Sequence, residues 1–153
     1  MPSVYSITTE GEEALAAATA ETVLQLVAST AVSPKIVEWG LSFDSTSATA
    51  QPVVVRLLWQ TSTSEGGASA ATEVAWDRRT AQGAKAVGRH TFTSESTAPT
   101  CFATYNVHPQ AGIVVQYPLG REPVLDNSTL SRFGIECTAP AVVNVVGYLA
   151  WEE

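Results

Sequence analysis

From residue 22 to the end, the chain alternates apolar and polar positions with a period of two, as strands do when they bury one face. Across residues 35–44, Val37, Trp39, Leu41 and Phe43 share one side, and Glu38, Gly40, Ser42 and Asp44 share the other. In residues 53–60 the inward set is Val53, Val55, Leu57 and Trp59. The opposite side is only partly polar, because Val54 and Leu58 stand beside Arg56 and Gln60. Cys101, Ala103, Tyr105 and Val107 continue the pattern, followed by Ile113, Val115 and Tyr117, then Phe133, Ile135 and Cys137. The last run places Val143, Val145, Gly147, Leu149 and Trp151 inward and Asn144, Tyr148 and Glu152 outward.

Turn-forming segments at residues 44–47, 109–112, 117–120 and 126–128 separate these runs. In the third of them, Pro118 at the second position and Gly120 at the fourth suit a type I turn. Short β-branched runs at this spacing predict an all-β, antiparallel β-sandwich of about eight to ten strands, with a jelly roll as the first choice of topology. Residues 9–20 read differently. Thr9 and Glu12 match a capping box ahead of an alanine-rich run, which predicts a short helix that gives way to strand near Ala20. The chain is thus expected to have an N-terminal arm with a short helix, residues 1–20, followed by one sandwich domain, residues 21–153.

Composition narrows the functional classes. With 45% hydrophobic and 15% charged residues, the chain is poorer in charge than a typical domain at about 25%, so part of its surface is expected to be covered by partners. The net charge is −7, and apart from Arg78-Arg79 the basic residues are scattered, so no basic stripe is present to neutralise phosphates and nucleic acid is not an expected partner. The opening residues carry Glu10, Glu12 and Glu13 and no basic leader, so a signal peptide is not expected. No run approaches the roughly 18 apolar residues of a membrane span, and a soluble protein made in a host cytoplasm is the expectation.

Candidate chemistry is sparse. The two cysteines, Cys101 and Cys137, both fall at inward phases and are expected as buried thiols. His90 and His108 belong to no metal or triad motif, and a Cys-His hydrolase would need folding to bring them to a cysteine. Asp44, Asp77 and Asp126 lack the spacing of a calcium loop and read as turn formers. Trp39, Trp59 and Trp151 are in phase with core faces, whereas Trp76 is not, which makes it a candidate contact residue. No catalytic residue, cofactor or metal site is assigned.

Three segments together carry a resemblance: Val23-Leu24-Gln25-Leu26-Val27-Ala28, Tyr117-Pro118-Leu119-Gly120-Arg121-Glu122-Pro123, and Thr138-Ala139-Pro140-Ala141-Val142-Val143-Asn144-Val145 with the following Tyr148 to Glu153. They are similar to small β-sandwich proteins that decorate the capsids of tailed bacteriophages. The resemblance implies a virion structural protein that sits as a homotrimer on the capsid exterior and clamps subunits of the major capsid protein. The interface candidates are Pro2, Val4, Tyr5 and Ile7 in the arm, Val54 and Leu58 on the partly apolar second face, and Trp76. The alternative is a trimeric sandwich at a tail or fibre tip that binds a host glycan or receptor.

Overall fold

The computed structural model describes residues 3–47, 49–61, 66–78 and 83–153. Twelve strands form among them: β1 (Val4–Thr8), β2 (Glu13–Leu15), β3 (Ala20–Val27), β4 (Lys35–Phe43), β5 (Val53–Gln60), β6 (Ser69–Ala70), β7 (Val74–Ala75), β8 (Val87–His90), β9 (Thr100–Val107), β10 (Ile113–Gln116), β11 (Arg132–Thr138) and β12 (Val143–Glu152). They build two antiparallel sheets packed face to face. The first has the order β10-β4-β12-β1-β7, with β2 also on β12, and the second has the order β6-β8-β3-β11-β5-β9.

The pairing is nested: β1 lies on β12, β3 on β11, β4 on β10 and β5 on β9. A long antiparallel ribbon rolled up on itself in this way is a jelly roll. The short strands β2, β6, β7 and β8 extend its sheets.

The alternating positions explain the core. Trp39, Leu41, Leu149 and Trp151 from the first sheet meet Leu24, Leu26, Leu57, Phe133 and Ile135 from the second, all at most 3% exposed. Full burial of each such side chain contributes roughly 1.5–3 kcal/mol. Two close approaches lock the layers. A Cβ on Gly88 would lie 2.4 Å from Ile7 Cγ2, and Trp39 packs edge-on against Tyr105 across the sandwich, with ring centroids 5.5 Å apart.

Three expectations need correction. No α-helix occurs among the described residues. Within 9–20, Glu10 (φ 55°), Gly11 (φ 150°) and Ala18 (φ 56°) leave the right-handed helical region, and Leu15 pairs with Val143 and is 1% exposed. Helix propensity differs among ordinary residues by only tenths of a kcal/mol, so one buried leucine and a strand ladder outweigh it.

Residues 4–8 are not a free arm. β1 is flanked by β12 and β7, and Tyr5 and Ile7 are core side chains at 4% and 1% exposure.

The alternation also slips at bulges. Opposite Leu57 and Leu58 stand Ala103 and Cys101, so Phe102 is the extra residue and stacks on Trp59 at 4.9 Å. The slip carries Cys101 out of phase, and it is exposed, whereas Cys137 is buried as expected. A second bulge opposite Ala150 and Trp151 makes Ile36 the buried residue in place of Val37.

Candidate interaction surfaces

Register alone assembles the outer face of the first sheet. One row crosses it as Val114, Gly40, Tyr148 and Thr8, and another as Gln116, Glu38, Ala150, Ser6 and Val74. Val146 stands opposite Ser42. The charged residues in these outward positions are Lys35, Glu38 and Glu152, joined at the edge by exposed Asp44 beside Asn144. Val114 is 66% exposed, Val74 51% and Val146 41%, so the face is flat, weakly charged and dotted with valines. The Trp76 N–H donates to the Val4 carbonyl at 2.9 Å, which continues the β1 and β7 pairing and sets Trp76, 54% exposed, at the margin of the same face.

Tyr148 organises the centre of this surface. Its ring covers Gly40, and its hydroxyl donates to the Glu38 carboxylate. Burial, followed by that carboxylate, pushes the phenol up to about 12, so it remains a neutral donor at physiological pH.

The outer face of the second sheet is different: it is covered and polar. Thr22, Gln25, Leu58, Gln60, Arg132 and Glu136 point away from the core, yet none exceeds 5% exposure. The segment following β8 reaches this face through Glu95, which accepts hydrogen bonds from the Thr22 backbone N–H and hydroxyl. Gln25 Nε2 donates to Gln60 Oε1 at 2.7 Å, and Gln60 in turn fills the space above Gly134. Arg56 pairs with Glu136 at 3.0 Å. Burial nonetheless raises the Glu136 carboxyl above its ordinary range, against the pull of Arg56 and with a push from Glu95. At the rim, the hydroxyl of Thr104 and then the Arg56 guanidinium lower the exposed Cys101 thiol.

These placements sort the sequence candidates. Val4 and Trp76 come together on the first sheet's outer face. Tyr5 and Ile7 are in the core. Leu58 is 0% exposed and presents no surface, and Val54 lies half-buried at the rim of the covered face. Pro2 lies outside the described residues. Val74, Val114 and Val146 were missed, although the last two are the polar-phase valines of alternating runs and could have been found on that ground.

The histidines and cysteines stay apart. His90 Nδ1 lies 3.1 Å from Glu13 Oε1, His108 Nδ1 accepts from the Gln110 N–H at 3.3 Å, and Cys101 contacts the Ala103 carbonyl and Thr104. Asp44 is a clamp between strands, accepting from Asn144 N and Nδ2 at 2.9 and 2.7 Å. Among the described residues, no group of three His, Cys, Asp or Glu side chains is placed to hold a metal ion.

The chain matches no family model, no curated protein and no solved structure.

Proposed function

We propose that this chain is a non-enzymatic virion structural protein that docks on the outside of a phage capsid as a homotrimer and bridges subunits of the major capsid protein. The observation that carries the reading is the open, weakly charged outer face of the first sheet. The five strands on its path hold 4, 9, 10, 5 and 2 residues, and at about 3.3 Å per residue and about 4.8 Å between strands they give an area on the order of 500 Å². That is somewhat more than half of the roughly 800 Å² each partner contributes to a standard stable interface. Its exposed valines, one tyrosine and few charges match the composition of interface centres, where charge is depleted and aromatics are enriched. The jelly roll suits a rigid body of this kind but does not by itself specify a task. The segment resemblance supplies the capsid as the partner.

Binding that favours the assembled lattice stabilises it by mass action, and several subunit contacts per trimer add effective concentration. The test is co-sedimentation with purified mature capsids. Val114→Asp and Val146→Asp, both at exposed positions, are expected to reduce retention at least tenfold without changing the fold. Undiminished retention of both variants, or no retention of the parent protein, overturns the reading.

A second reading, a tail or fibre-tip binder of host glycans, is favoured by the exposure of Trp76, which follows Ala75 in the wall of a 500 Å³ hollow also lined by Tyr5, Glu73, Arg78 and Gly83 but does not itself line it. Glycan-array binding that disappears in Trp76→Ala, together with no capsid retention, would select it.

A further inference from the structure

The two ends of the sandwich carry complementary apolar features. At one end, where Phe43, Val53, Val107, Thr138 and Val143 lie, Val53, Pro109, Pro140, Val142 and Val143 line a pocket of 280 Å³. This is at or below the small end of the roughly 300–1,000 Å³ of drug-sized ligand sites, and it suits a single side chain. Val142 on its rim is 74% exposed.

At the opposite end, beyond Gln116 of β10, Leu119 projects into solvent at 94% exposure. It stands on a turn closed by the Arg121 N–H donating to the Pro118 carbonyl at 3.0 Å, with Gly120 at φ 83°. The turn lies one residue later than the sequence suggested, and the positive φ at its third position is the type II requirement that glycine meets. The Gly120 N–H is further held by Glu122 Oε2 at 2.7 Å. Leu119 is therefore a preformed knob, and docking it costs little conformational entropy.

Strand lengths separate knob from pocket by roughly 30 Å at about 3.3 Å per residue, so a chain cannot fill its own pocket. We propose that Leu119 of one copy inserts into the Pro109, Pro140 and Val142 pocket of a second copy of this chain. Charge agrees with that pairing. Exposed Arg121 flanks the knob and has no ion-pair partner among the described residues, while exposed Asp44, fixed by Asn144, adjoins Ser45 of the pocket. Because two different patches meet, the contact is heterologous: it propagates head to tail, closing into a ring or running into a filament according to the rotation between copies. A single leucine gives weak association in dilute solution, which crowding on a lattice would reinforce. The inference concerns the chain alone and does not depend on the capsid reading.

Sedimentation of the purified protein from micromolar to millimolar concentration tests it without any capsid. The parent protein is expected to gain mass with concentration. Leu119→Asp and Val142→Asp, both at exposed positions, are each expected to stay monomeric while keeping the parent's melting temperature. An equimolar mixture of the two variants retains one intact knob and one intact pocket, so it should form a one-to-one dimer and nothing larger. A parent protein that is monomeric throughout, a single variant that associates as the parent does, or a mixture that stays monomeric while the parent associates would each overturn the proposal.

Discussion

The aromatic ring of Tyr148 lies across Gly40 on the neighbouring strand, so closely that a Cβ at residue 40 would fall 2.5 Å from Tyr148 Cε1. The missing side chain lets the ring lie flat and brings its hydroxyl to Glu38. Gly40→Ala should therefore lift the ring off the sheet. Overpacking of this kind costs about 1–3 kcal/mol. Chemical denaturation should show that loss, and capsid retention should fall with it, because the centre of the proposed docking face is no longer flat.

Deleting residues 1–8 distinguishes a strand from an arm. β1 supplies Tyr5 and Ile7 to the core and pairs with β12 and β7. At roughly 1.5–3 kcal/mol per buried side chain, their loss removes about 3–6 kcal/mol, a large share of the 5–15 kcal/mol by which domains are stable. The truncated chain is expected to melt about 10 °C lower or not to fold. An unchanged melting temperature would mean that the segment is dispensable to the core.

The two thiols should react very differently. Burial, aided by the charge of Glu136, pushes the Cys137 thiol far up, whereas Thr104 and Arg56 lower that of exposed Cys101. Thiolate is the reactive form. Titration with a maleimide or a disulfide reagent at pH 7 should modify one thiol per native chain and both after unfolding. Thr104→Val and Arg56→Ala should each slow the native reaction several-fold.

Glu136 makes a signed prediction about pH. Its folded-state carboxyl, raised chiefly by burial, holds its proton to higher pH than in the unfolded chain, where it titrates near 4.5. The native state then binds more protons, so stability from this group is fully present below that value and is lost as pH rises through the folded one. Glu136→Gln removes the dependence. The stability of the variant relative to the parent should increase between about pH 4 and pH 6, measured by urea denaturation at each pH. A flat or falling difference would show that the Arg56 pair outweighs burial.

Much of the fold was legible because period-two alternation depends only on which side chains avoid water. The phases of β4, β5, β11 and β12 were read directly, and Trp39, Phe133, Ile135, Leu149 and Trp151 fell where the pattern placed them. Alternation is local, however, and a bulge is decided by the partner strand. No feature within residues 100–107 marks Phe102 as the extra residue; only pairing with β5 sends Cys101 outward. The same limit explains the docking face, since exposure of an outward valine depends on what lies above it. Val114 is open, but Leu58, in the same phase relation to its own strand, is fully buried on the outer face of the second sheet.

The sequence by itself therefore determined the long strands of the body, the sandwich class and most of the core, because burial of alternate residues is a local, additive preference. Only the tertiary structure decided that residues 4–8 are a strand within the sheet, that one outward face is covered and the other open, and that Leu119 and its matching pocket stand at opposite ends. Each of these depends on contacts between residues far apart in the chain, and no local periodicity encodes them.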